Sequence, residues 1–175
     1  MPWEASTSDW NYEGIDGKEV TPDQVLSLIS SKTEEEANTK YWKLDGVVCA
    51  NGVAYGASLS VVKLILAMLP TCSNAAKRSC LELLGQISVC EAHVNSPEVV
   101  SACLKELKLS SWLFLHGLQF DTPENAWLYV DLIGVLGEKY SDFRPKAKFY
   151  LNQVLNRKLP VDDFEMVQNT LKELN

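Results

Sequence analysis

From Val53 to Leu69 the chain is apolar at nearly every position, interrupted by Ser58, Ser60 and Lys63. Elsewhere apolar residues return three and four positions apart, the spacing that gives a helix one buried face. Val25, Leu28 and Ile29 mark such a face over 22–31, and Tyr41, Trp42, Leu44 and Val48 mark one over 35–48. Leu81, Leu84, Ile87 and Val89 follow Asn74; Val99, Val100, Cys103, Leu104 and Leu107 occupy 97–108. Ala126, Trp127, Val130, Ile133 and Leu136 occupy 123–139, and Phe164, Val167, Leu171 and Leu174 occupy 161–174. A helix over 143–157 and a short apolar piece, "SSWLFLHGLQF", ended by Gly117, complete the set. No stretch alternates with a period of two, so no strand is predicted.

Helix starts are marked by a repeated device. "TPDQ" at 21, "SPEV" at 96 and "TPEN" at 122 each offer Ser or Thr at N-cap, Pro at the first helical position and an acid next. The hydroxyl caps a free N–H, Pro is preset at helical φ, and the carboxylate meets the positive helix end. "NG" at 51–52 breaks the chain, a helix is expected from about 53 to 69 with Pro70 stopping it, and Asn74 is placed as the cap of the next. A helix apolar all round is a central one, covered by neighbours. The 17 residues from 53 to 69 fall short of the roughly 20 that a membrane span needs.

The fold class these elements predict is all-α, eight or nine helices of 10–18 residues joined by short turns. Pairs of antiparallel helices repeating at 40–50 residues stack as a short HEAT-like α-solenoid. The repeat is weak at residue level, which leaves an irregular bundle open. Residues 1–20 read as a polar N-terminal tail and 21–175 as a single helical domain. Trp3 and Trp10 either clamp that tail to the helices or sit free.

Net charge is −7, which argues against nucleic acid or an anionic membrane as partner. The one basic run, residues 139–158, has Lys139, Arg144, Lys146, Lys148, Arg157 and Lys158 against Asp142. Lys146 and Lys148 point to different faces of a helix, and Phe149 and Tyr150 read as packing. The start of the chain lacks a basic n-region and an apolar h-region, so no secretory signal is expected there. Five cysteines, odd in number, widely spaced and without a C-x-x-C pair, predict neither a disulfide framework nor a zinc site, and fit a reducing cytoplasm.

Catalytic signatures are thin. His93 follows Cys90 as C-E-A-H and reads as a helix-end histidine; His116 reads as packed among Phe114, Leu115 and Leu118. No glycine-rich phosphate loop occurs. Glu34, Glu35 and Glu36, like Asp162 and Asp163, sit at helix starts, where they favour the dipole. Aromatics beside acids are more informative: Trp42 with Asp45, Trp127 with Asp131, Phe120 with Asp121. Aromatic anchors ringed by acids suit an interface for a basic protein.

The run "YWKLDGVVCANGVAYGASLSVVKLILAMLP", residues 41–70, followed by "KRSCLELLGQIS" at 77–88, resembles the small HEAT-repeat-like immunity proteins of bacterial polymorphic toxin systems. The shared pattern is a Trp-containing helix, a short polar turn, an A-x-Y-x-A-type start, a long apolar helix ended near Pro, then an Arg and an "LLxxI" helix. Gly56 departs from it, since a carboxylate often follows the Tyr. The resemblance implies a non-catalytic protein, without cofactor or metal, that binds a cognate toxin polypeptide in the cytoplasm and covers or distorts its active site. An acidic inhibitor implies a basic toxin, with no nucleic acid or membrane involved. The contact set it suggests is Tyr41, Trp42, Asp45, Tyr55, Glu91, Asp121, Glu124, Trp127 and Asp131. A HEAT-type scaffold, or a helical-repeat enzyme acting on nucleic acid through Arg144, Lys146 and Lys148, are the competing expectations.

Overall fold

A computed structural model describes residues 2–156 and 161–175, the side chains of 161–163 excepted. It is mostly helical, as expected. Ten helices occur among the described residues: α1 Trp3–Thr7, α2 Pro22–Ile29, α3 Glu34–Val48, α4 Ser58–Met68, α5 Asn74–Val89, α6 Val99–Leu109, α7 Ser111–Phe120, α8 Ala126–Lys139, α9 Arg144–Leu155 and α10 Val161–Glu173. Nine of them coincide with expected helices; the tenth, α1, is one turn inside the segment read as a polar tail. The chain divides into two compact units, Met1–Leu107 and Lys108–Asn175, a boundary the hydrophobic pattern does not mark.

In the first unit α4 is the buried centre. Val61, Val62, Leu64 and Ile65 are fully buried, and even Ser58 and Ser60 are closed off from water. The long apolar run is thus a core helix, but it begins at Ser58 rather than 53, because Val53 and Ala54 belong to a small sheet. Strands β1 Cys49–Ala50 and β2 Val53–Ala54 form an antiparallel hairpin, and β3 Glu91–Ala92 adds to β2 in parallel. This corrects the expectation of no strands. At two residues each, the strands are too short to show alternation, but their turn was legible: Asn51 and Gly52 both take positive φ, 54° and 75°, which is the Asn-Gly preference of a tight hairpin.

Hydroxyl caps place the helices around α4. Thr21 N–H donates to Gln24 Oε1 at 2.9 Å, one half of a capping box at the start of α2. At α5 the cap is Ser73, not Asn74: its Oγ accepts from Ala76 N–H at 3.2 Å and donates to Ser31 O at 2.7 Å. That bond brings the end of α2 to the start of α5. At the far end, Cys49 and Cys90 are the C-cap residues of α3 and α5, and they are joined as a disulfide 41 residues apart in sequence. The helices α3 and α5 therefore run side by side in the same direction. A bonded pair departs from the expectation of no disulfide framework; the positions meet only because two distant helices end together, which spacing alone cannot show. Cys72, Cys80 and Cys103 are free.

Residues 2–20 are not a loose tail. Ala5 and Val20 are buried, Trp10 Nε1–H donates to Ala5 O at 3.1 Å, and Ser60 Oγ of α4 donates to Asp9 O. Trp10 is half-buried under this clamp, whereas Trp3 stays exposed. Gly14 lies so close to α3 that an added Cβ would fall 2.3 Å from Val47 Cγ1, so only glycine passes there.

The second unit repeats the plan with α8 as its centre. Leu128, Val130, Leu132, Ile133 and Leu136 are buried, and α7, α9 and α10 all pack on α8. Gly117 does not end α7, which runs on to Phe120; the glycine is needed because the Tyr129 ring occupies the space a Cβ would take, 2.3 Å away. Two members of the basic run, Arg144 and Lys148, bond to groups within the second unit. Arg144 Nε–H donates to Gly137 O at 3.1 Å, closing the end of α8, and Lys148 Nζ donates to Asn175 Oδ1 at 2.7 Å. Lys108 binds both oxygens of Asp142, at 2.7 and 2.8 Å, and lies 4.4 Å over the Tyr140 ring. Arg157 and Lys158, and the side chains of Asp162 and Asp163, lie outside the described residues.

Two glycines in helices should respond with opposite signs. Gly46 is exposed in α3 with open space around its Cα, so Gly46→Ala should stabilise by about 0.5–1 kcal/mol in urea unfolding. Gly117→Ala should destabilise by about 1–3 kcal/mol, since Tyr129 must move. The thiols should also separate. Cys72 is half-buried with its pKa lowered by a hydrogen bond from Cys80, whereas burial pushes the Cys103 thiol up to about 12. Alkylation of the native protein should mark Cys72 first, reach Cys80 and Cys103 only after unfolding, and leave Cys49 and Cys90 linked until a reductant is added.

Candidate interaction site

The nine expected contact residues divide between the two units, Tyr41, Trp42, Asp45, Tyr55 and Glu91 in the first, Asp121, Glu124, Trp127 and Asp131 in the second. On α3, helical spacing puts Tyr41 and Asp45 one turn apart, with Trp42 beside them. The Trp42 indole is 61% exposed and meets the Tyr41 ring edge-on, centroids 5.0 Å apart. Tyr41 itself is buried, so it supports Trp42 from beneath and presents no surface of its own. Its phenol is pushed up to about 12 by burial first, then by the negative fields of Asp45 and Glu82. Burial also raises the Asp45 carboxyl above its ordinary value.

The small sheet positions Tyr55. In the parallel register Ala54 pairs with Ala92, so the next residues, Tyr55 and His93, leave the sheet side by side. His93 N–H donates to Ala54 O at 2.9 Å, and the two rings stack with centroids 4.7 Å apart and planes 26° from parallel. His93 Nδ1 accepts from Asn95 N–H at 3.3 Å. This is not the helix-end position expected of His93, because α5 stops at Val89 and β3 intervenes. Glu91 projects from β3 into solvent.

Opposite this stack runs the segment 11–17. Between them lies a cavity of about 470 Å³, lined by residues 11–17 together with Tyr55, Gly56, His93, Asn95 and Ser96. A Cβ on Gly56 would come within 3.0 Å of both Tyr12 Cδ1 and Ser96 Oγ, so the glycine lets the segment 11–17 close over the sheet. Glu13 and Asp16, two acids, are among the residues that line this cavity. Sequence reasoning assigned these residues to a polar tail; the signal available was Asp16-Gly17, a pair suited to the positive φ of 56° and 70° that turns the chain there.

In the second unit the expected residues behave differently. Asp121 is engaged in structure: Oδ2 accepts from Tyr129 Oη–H at 2.6 Å and Oδ1 accepts from Thr122 N–H at 2.9 Å, which fixes the turn into α8. Glu124 is exposed on the turn Pro123–Asn125, and Trp127 is half-buried. Asp131 is exposed, and partial desolvation first, then the nearby Glu173 carboxylate, raises its pKa. His116 is exposed on α7, not packed, with Phe120 4.8 Å from its ring centroid. Leu109, Trp112, Phe120 and Phe149 are exposed as well.

No group of three or more His, Cys, Asp or Glu side chains among the described residues is placed to hold a metal. No helix among them is long and apolar enough to cross a membrane. No family model matches the chain, and no curated protein or solved structure matches it.

Tyr41 supplies a pH prediction. Its folded pKa stands above the unfolded value near 10, so the folded state holds the proton more tightly and stability is lost as pH rises from about 10 to about 12. In urea unfolding across that window Tyr41→Phe should lose stability less steeply than the native protein. Parallel slopes would contradict the burial of the phenol.

Proposed function

We propose that the protein is a non-catalytic binding module that neutralises a basic polypeptide toxin by covering its surface, acting in the cytoplasm of the cell that carries both. The observation that carries this reading is the exposed Trp42 indole, backed by buried Tyr41 and flanked by Asp45, on a unit that holds fourteen carboxylates against eight Lys and Arg within residues 1–107. An exposed tryptophan costs hydration free energy in the free protein, and burying it against a partner is a common source of binding energy at interface centres. The surrounding negative field speeds encounter with a cationic partner and discourages anionic ones. The same charge balance disfavours the nucleic-acid enzyme, as do the internal roles of Arg144 and Lys148.

The test is co-expression with the polypeptide encoded beside this chain. A 1:1 complex should form, with an association rate that falls as salt rises. Trp42→Ala, exposed and therefore harmless to the fold, should weaken binding tenfold or more, about 1.4 kcal/mol. Absence of a complex, or an unaltered affinity for Trp42→Ala, would contradict the reading.

A further inference from the structure

The cavity between segment 11–17 and the Tyr55–His93 stack, about 470 Å³, falls within the range of about 300–1,000 Å³ typical of ligand sites. Its two sides differ in chemistry. One is the stacked aromatic pair, with Asn95 and Ser96 beside it. The other carries Glu13 and Asp16, neither of them ion-paired among the described residues. Glu13 is exposed, and its Oε2 lies 3.4 Å from where a Cβ on Gly17 would be, so the carboxylate stands over the turn. The turn itself is fixed by the backbone: Gly14 N–H donates to Lys18 O at 2.8 Å, and Glu13 bridges Glu19.

We propose that this cavity receives an arginine side chain of a polypeptide partner, its guanidinium lying against the Tyr55–His93 wall and donating to the Glu13 and Asp16 carboxylates. A guanidinium is planar, sheds water more readily than an ammonium, stacks on aromatic faces and presents a fork of donors to oxygen acceptors. A lysine ammonium uses the carboxylates but not the flat wall. Phosphates and carboxylates are repelled by the same two acids. The source of the arginine rests on the inhibitor reading above; the chemistry of the cavity does not.

The experiment titrates the full chain with N-acetyl-arginine amide while the histidine ring signals are followed by NMR. The chain has two histidines, so His93→Gln assigns the signals and exposed His116 serves as the internal control. A saturable shift of the His93 signals is expected, with His116 unmoved. N-acetyl-lysine amide should bind at least threefold more weakly and uncharged N-acetyl-citrulline amide at least tenfold. Glu13→Gln with Asp16→Asn should weaken arginine binding at least fivefold; both side chains are exposed, and Asn tolerates the positive φ at 16, so the fold should survive. An unmoved His93, or citrulline binding as tightly as arginine, overturns the assignment. The two proposals also fail separately. A partner that binds the Glu13→Gln, Asp16→Asn protein as tightly as the native one removes the arginine cavity and leaves the inhibitor; saturable arginine binding with no polypeptide partner does the reverse.

Discussion

The burial of α4 sets the terms for the first unit. A helix closed off from water on almost every side must have each of its polar groups satisfied within the protein, since an unpaired buried hydroxyl costs about 1–3 kcal/mol. Ser58 meets that demand by donating to Val48 O at 2.7 Å, and Ser60 by donating to Asp9 O. One bond ties the helix to the end of α3, next to the hairpin. The other ties it to the N-terminal segment. Val48 leads into the hairpin that carries Tyr55, and Asp9 leads into the segment 11–17, so the parts of the chain that line the cavity on each side start from points bonded to α4.

Helix positions were legible because they depend on local rules. Apolar spacing acts within a few residues, and α2 and α5 through α10 lie close to where it puts them. The hydroxyl–proline start holds at α2, whereas α6 begins at Val99 and α8 at Ala126, behind the turn Pro123–Asn125, where Thr122 makes no side-chain cap. What escaped were features made by meeting of distant parts. The parallel pairing of β2 with β3 joins residues nearly forty apart, and only that register brings Tyr55 to His93. Glycines tell the same story: Gly117 read as a helix end because its reason, the Tyr129 ring, arrives from the next helix. The basic run at 139–158 looked like a surface feature, and only the fold reveals Arg144 and Lys148 as internal fasteners.

The candidate site was half visible. Trp42 and Asp45 stand on one helix with Tyr41 beneath, so amphipathic spacing could group them. Asp121, by contrast, was expected to face a partner and instead holds Tyr129 and Thr122. An acid beside an aromatic in sequence is equally compatible with a contact surface and with a turn, and hydrogen-bond geometry separates the two. Glu13 and Asp16 could not be grouped with Tyr55 by any local pattern, because the N-terminal segment and the sheet are far apart in sequence and meet only in the fold, with Tyr12 against Gly56.

The bond between Cys49 and Cys90 closes a covalent ring that contains all of α4 and α5. A single cleavage anywhere inside that ring, at the exposed Asn51-Gly52 turn for instance, would open the backbone without releasing a fragment. The two pieces would stay tethered at the point where both helices end, and the central helix would keep its neighbours.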